Sequence, residues 1–411
     1  MNTTTQTQQA AGAEDKTLMS LIMKQVRANM KTYTMILALV IIWLLFGYLT
    51  NWIFFKPQNM SNLFRQMTIV SFLAMSMVLV IVTGNIDLSA GNATGFVSAV
   101  AAYVQAIMLP PLLANMSIGL RGWLVTIISI FVGLLVGAAI GVAQGSVVAY
   151  LNIPSFIVTL GGMLIFQGGI LGVTQGKTIV PIEDNFRLIA QGYVPKSLGW
   201  ALGIIVIAAI FFGIFWSRMQ KGRYGFKLPS LEQDAAKAVL FSSLVILFVH
   251  IMNQYRGIPN PVLLMAVMAL VFVYLTDNTK FGRYCYALGG NKEATRLSGV
   301  NIKKNIFMVF VLMGLMTGVG GIVLTGYVAA GTTGGGAGYE LLAIASCILG
   351  GTSTMGGEGT IFGALVGSLI MASLQNGMSV MNMDIFWQYI IRGLVLVVAV
   401  YIDVLSKKSK A

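Results

Sequence analysis

The sequence predicts an all-α, polytopic membrane protein with up to twelve spans, and three observations carry that prediction. Hydrophobic residues make up 57% of the 411 and charged residues 9%, with a mean hydropathy of +0.83, a balance foreign to a soluble globular domain of this length. Apolar runs of the roughly 17 to 25 residues needed to cross a bilayer recur along the chain. The formal charge of +13 sits at the ends of those runs, which argues against nucleic acid as a partner.

Residues 1–30 open with a stretch rich in Thr, Gln and Ala that lacks the basic start and cleavage pattern of a signal peptide, and they read as a cytosolic tail. Residues 31–405 then form the transmembrane domain. Its apolar runs fall at 33–50, 66–83, 90–108, 122–143, 154–174, 199–217, 236–252, 260–276, 306–328, 339–350, 360–376 and 385–403. The run 339–350 is too short for a full crossing and is followed by GGTSTMGGEG, so it reads as a half-helix or a broken helix lining a cavity. Residues 406–411 form a second cytosolic tail.

Charge sets the orientation. With a cytosolic N-terminus, Lys16, Lys24, Arg27 and Lys31 fall inside, followed by Arg218, Lys221, Arg223, Lys227 and Lys237. The six basic residues of 277–305 and Lys407, Lys408 and Lys410 join them, while Lys56, Arg65, Arg121, Lys177, Arg187, Lys196 and Arg256 fall outside. The positive-inside rule is met with both termini cytosolic. Glycine spacing describes the packing: Gly133, Gly137, Gly141 and Gly145 form one ridge of the fourth run, and Gly363 and Gly367 repeat the device. Such ridges let backbones approach closely; a channel lining is the alternative.

The longest polar interruption within the apolar region, DNTKFGRYCYALGGNKEATRLSGVNIKKN at 277–305, reads as a docking surface. After Gly289 and Gly290, Asn291 caps a short helix of about two turns from Lys292 to Ser298, closed by Gly299 as a left-handed residue. Ala294 and Leu297 share one face of that helix, with Lys292, Glu293 and Arg296 pointing elsewhere. Isolated helices below about 12 to 15 residues are marginal in water, so this one needs a partner. The alternative is a connecting loop whose cations only fix orientation.

Other motifs carry less. LGVTQGKT lacks the first glycine of a phosphate loop, because position 171 is Leu171, so ATP binding is not expected in this chain. Asp87, in TGNIDLSAGN, either caps the third span together with Ser89 or takes part in a pathway, since a carboxylate at the membrane is costly. Asn85, Asn92, Gln144, Asn152, Ser155, Thr159, Gln167, Gln375 and Asn376 offer neutral donors and acceptors of the kind a sugar requires, or simply bond neighbouring helices. Glu340 and Glu358 have no basic or histidine partner at helical spacing. One histidine and two cysteines, Cys285 and Cys347, suggest neither a metal site nor a disulfide framework.

Together, NIDLSAG, NIPSFIVTLGGMLIFQGG, YALGGNKEATRLSGVN, GGTSTMGGEGTIFGALVG and FWQYIIRG resemble the membrane subunit of bacterial ATP-binding-cassette importers of the ribose, galactose and xylose permease family. The likeness covers nearly the whole chain beyond residue 30, and YRGIPNPVLLM and ASLQNGMSVMNMDIFWQYIIRG are most similar to the xylose branch. This resemblance implies a type II-like importer permease in the bacterial cytoplasmic (inner) membrane, with about ten core helices and an extra hairpin at 236–276. It implies two copies of the permease among membrane lipid, a cytosolic ABC sugar-import ATPase that carries ATP and Mg, and an extracytoplasmic sugar-binding protein. This chain would have no catalytic residue and no cofactor. Gly289, Gly290, Asn291, Glu293, Ala294, Arg296, Leu297, Ser298 and Gly299 would form the coupling helix in the ATPase cleft. Asn85, Asp87, Ser89, Gln144, Asn152, Ser155, Gln167, Gln375 and Asn376 are candidates for the pathway of D-xylose or a related aldose. The alternative is an ion-coupled secondary sugar transporter.

Overall fold

A computed structural model describes residues 30–408, apart from 227 and 229. The tail expected at 1–30 lies outside the described residues except for residue 30, as do Lys227 and Lys410, and residues 406–408, expected in the second tail, continue the last helix.

Every run read from the sequence is helical. In chain order the helices are α1 (Met30–Leu49), α2 (Pro57–Val82), α3 (Ala90–Tyr103, extended through wider turns to Leu112), α4 (Ile118–Tyr150), α5 (Ser155–Thr174), α6 (Asp184–Gln191), α7 (Lys196–Arg223) and α8 (Leu231–Asn253). They continue as α9 (Asn260–Asn278), α10 (Lys280–Gly290), α11 (Lys292–Leu297), α12 (Ile302–Val328), α13 (Tyr339–Leu349), α14 (Ile361–Val380) and α15 (Ile385–Lys408). Among the described residues, nine helices are long and apolar enough to cross a membrane, and α1, α13 and α15 carry shorter apolar stretches. Two short strands, β1 (Tyr193–Val194) and β2 (Ile258–Pro259), pair antiparallel to pin the loops before α7 and α9 together.

α2 is the axis of the bundle. From Met67 to Val82 every residue is buried, because α9, α12, α13 and α14 surround it. Its first turns, PQNMSNLFRQ, are too polar to register as a span, yet protein rather than lipid covers them: Asn59 Nδ2 donates to Asn376 Oδ1 on α14 at 2.8 Å. At the rim, α5, α7 and α15 turn large apolar side chains such as Leu164, Phe212 and Leu394 outward, as lipid-facing helices do.

The glycine ridge of α4 packs as expected. Gly133 meets Ile322, Gly137 meets Gly314 and Gly318, Gly141 meets the Phe310 carbonyl, and Gly145 meets Phe307, so α4 and α12 run antiparallel with their backbones in near contact. α4 also overshoots its apolar run, because its last turns continue to pack on α12, with the rings of Tyr150 and Phe307 5.6 Å apart.

The short run is a broken span. α13 has eleven residues, a reach of about 16 Å at about 1.5 Å per residue against about 30 Å of hydrocarbon. The other half of the crossing is the glycine-rich segment after α12, which descends along α3: Gly331 pairs with Ile179 and lies on Ala102, while Gly335 and Gly336 lie on Gly95 and Gly91. Gly91 and Gly95 are needed there because a Cβ would run into that backbone. Irregular backbone at this depth is tolerated where protein surrounds it.

The extra pair of helices expected at 236–276 is present as α8 and α9. α8 packs along α7, where Arg218 and Asp234 form an ion pair at 2.6 Å, and α9 packs along α2. The two helices are joined by a short turn but are held by different neighbours. Alternating crossings place residues 30 and 408 at the same end of the bundle as α10 and α11, which is therefore called the basic end.

Candidate functional site

At the basic end the corner between α2 and α3 is latched to two other helices. Asp87 Oδ1 accepts from the Ser89 amide at 2.8 Å and from Ser89 Oγ at 2.7 Å, and Ser89 Oγ accepts from Gln144 Nε2 of α4 at 2.7 Å. The Ile86 amide donates to Ser155 Oγ and the Leu88 amide to Thr159 Oγ1, both on the first turns of α5. Asp87 and Ser89 are buried. Of the two roles expected for Asp87, the geometry displays the helix-start role: its carboxylate organises the turn that opens α3 instead of lining open space.

The polar interruption is not a loop but two helices. α10 is a firm strut: Tyr286 Oη donates to the Gly359 carbonyl at 2.8 Å, and burial pushes the Tyr286 phenol and the Cys285 thiol each up to about 12. Gly289 sits at a close junction, where an added Cβ would strike the Val82 carbonyl and the Gly357 amide, which are themselves bonded at 2.9 Å. Gly289, expected in the coupling segment, packs at this junction and ties α10 to the end of α2 and to the 350–360 segment. Beyond it, Asn291 Oδ1 accepts from the Ala294 amide at 2.9 Å, and Gly299 closes α11 at φ +80°, as the sequence reading required.

α11 stands clear of the bundle. Lys292, Glu293, Ala294, Arg296, Leu297 and Ser298 are exposed and only Thr295 is buried; Leu297 is 82% accessible. Arg296 pairs with Glu293 at 2.8 Å, an exposed pair that contributes little to stability. Between α11 and the starts of α5 and α12 runs a cleft of about 410 Å³ lined by Asn85, Asn152, Ser155, Lys292, Arg296 and Lys303. The structure thus brings Asn85, Asn152 and Ser155 together beside α11, while Asp87, Ser89 and Gln144 are bonded to one another at the corner between α2 and α3.

Gln375 and Asn376 lie toward the other end, so the nine pathway candidates do not form one group. Asn376 is committed to Asn59 and, at 3.4 Å, to Gln66. Gln375 lines a cavity of about 100 Å³ with Gln66, Tyr327 and Tyr339 over an apolar floor that includes Leu342 and Met371; no charged residue lines it. Arg65 stands behind, its guanidinium 5.2 Å from the Tyr327 ring and its Nη1 donating to Tyr193 Oη at 3.0 Å. Sequence reasoning passed over Gln66, Tyr327 and Tyr339, which sit on three separate helices. Gln167 is half-buried on α5 and belongs to neither group.

A bundle with a broken span, a helix held out from one end and a neutral amphiphilic cavity toward the other defines a multi-pass membrane permease. The chain belongs to the family described as branched-chain amino acid transport system, permease component, whose pattern matches residues 59–240 and 232–400. It is 38% identical over 382 residues to the xylose transport system permease protein XylH of Haemophilus influenzae, covering 93% of this chain and 98% of that protein. The Escherichia coli protein of that name is 39% identical, over 92% of this chain and 93% of its own length. The ribose import permease protein RbsC of Escherichia coli is 32% identical, over 85% and 87%. No solved structure matches the chain.

Proposed function

We propose that this chain is the membrane-spanning subunit of an ATP-binding-cassette importer for a monosaccharide, D-xylose or a related aldose. The observation that carries the substrate class is the likeness to permeases named for xylose over more than nine-tenths of the chain, ahead of those named for ribose. An amino acid would bring a carboxylate and an ammonium, and the uncharged cavity beside Gln375 favours a neutral polyol instead.

ATP, with Mg, is bound and hydrolysed by a separate cytosolic ATPase. The sugar arrives from an extracytoplasmic binding protein at the end that includes residues 178–198, and two copies of the permease enclose its path. The basic end faces the cytosol, in keeping with the positive-inside rule. α11 seats in the ATPase, where burial of Leu297 contributes about 1.5 to 3 kcal/mol. Motion of α11 passes through α10 to the Gly289 junction and from there to the end of α2 and the segment before α14. Coupling requires that the two permease states meet the ATPase differently, since a contact equal in both shifts nothing.

The test is uptake of radiolabelled D-xylose by cells carrying this chain with its own ATPase and binding protein, with glucose, galactose, arabinose and ribose as competitors. ATP-dependent uptake that resists a proton ionophore, with xylose as the strongest competitor, is expected. Uptake abolished by the ionophore while ATP is maintained would instead identify an ion-coupled transporter.

A further inference from the structure

We infer that the permease itself holds the sugar in transit, at the cavity between Gln66, Tyr327, Tyr339 and Gln375, and that these groups pair the sugar's hydroxyls. The inference rests on the sugar-permease reading above and adds to it a place in this chain where substrate is recognised.

The first support is unspent hydrogen-bonding capacity. Several polar side chains nearby are paired, Asn59 with Asn376, Thr325 with Ser98 at 2.8 Å and Trp43 with Ser373 at 2.8 Å, while Ser71 Oγ and Arg65 Nε are buried without a hydrogen-bond partner. The side-chain amide of Gln375 and the hydroxyls of Tyr327 and Tyr339 make no hydrogen bond to another described residue, and all three side chains line one cavity. All three residues are half-buried and line one void, where a ligand or water can complete their hydrogen bonds.

Charge and shape narrow the ligand. With no ionised lining, the cavity offers nothing to a zwitterion or a phosphate. An amide and two phenols can donate and accept with neutral hydroxyls, while Val70, Leu342 and Met371 suit the C–H face of a sugar ring. A volume of about 100 Å³ leaves no room for a hydration shell around a sugar ring, so the ring must shed its water to enter. An analogue that leaves these groups unpaired is then rejected, which gives the permease a selectivity of its own.

Position supplies the third support. Tyr339 is the first residue of α13, at the break in the discontinuous span. A shift of that half-helix at the basic end would move Tyr339 relative to Gln66 and Gln375, widening or closing the cavity.

The experiment uses Gln375→Cys in the complete transporter in membrane vesicles, treated with a small, charged methanethiosulfonate. Both native cysteines are buried, and the Cys285 thiol is pushed up to about 12, so background reaction is low. The new thiol should react, and D-xylose at ten times its dissociation constant should slow the reaction by about tenfold, whereas leucine should not. Met371→Cys on the cavity floor should show the same protection, which guards against a fold defect peculiar to one variant. An introduced thiol at position 375 that does not react, or equal rates with and without xylose in both variants, overturns the inference while uptake by the unsubstituted complex upholds the sugar-permease reading. Protection by leucine rather than xylose overturns the assigned ligand class. Failure of the unsubstituted complex to take up any monosaccharide overturns both.

Discussion

At the scale of single residues, Leu297 and Gly289 divide the work that the sequence assigned to one motif. Leu297 is a large apolar side chain left 82% accessible on a capped helix that the bundle does not cover. Nothing in the fold depends on it, so Leu297→Asp should leave the amount of permease in the membrane unchanged and abolish uptake. Normal uptake in that variant would remove α11 from the coupling route. Gly289 differs because its neighbours are backbone atoms of α2 and of the segment before α14, which cannot rotate aside. Asn291 and Gly299 were legible as cap and terminator because both roles are local chemistry. The role of Gly289 was not, because Val82 and Gly357 approach it from far away in the chain.

At the scale of elements, spacing along one helix proved a good guide and pairing between helices a poor one. The ridge Gly133–Gly137–Gly141–Gly145 is a property of α4 alone, and it packs on α12 as the spacing implies. Gly141→Val tests the energetics. In isolation, replacing glycine within a helix gains several tenths of a kcal/mol in propensity. Here the new Cβ would meet the Phe310 carbonyl at 2.5 Å and the Val311 Cα at 2.9 Å, and such overpacking costs about 1 to 3 kcal/mol, so the steric term wins. Lower thermal stability of the purified permease is the expected outcome, and unchanged stability would mean that the two helices are not in contact. The half-helix α13 was also legible, since length alone excludes a full crossing. The pairing of α8 with α7 was not, because a short connecting turn suggests a hairpin but does not enforce one.

For the described chain, alternation of the nine candidate spans and the three shorter apolar helices sets α10, α11 and the ends of the described chain on one side. By the positive-inside rule we propose that this side is cytosolic, and single cysteines can check it. Ser298→Cys, exposed just past the end of α11, should be labelled by an impermeant reagent only when the cytosolic face is opened. Ser379→Cys, exposed near the far end of α14, should be labelled from outside. The reverse pattern would invert the topology. The sequence by itself determined the membrane class, the span positions, the caps of α11 and the glycine ridge, because each follows from periodicity, composition or chemistry within a few residues. Only the tertiary structure decided that Asp87 serves a turn, that Gly289 is a junction and that Gln66, Tyr327, Tyr339 and Gln375 share one cavity. Those facts depend on which distant backbones meet, and in a bundle whose helices are nearly all apolar the hydrophobic pattern does not distinguish one neighbour from another.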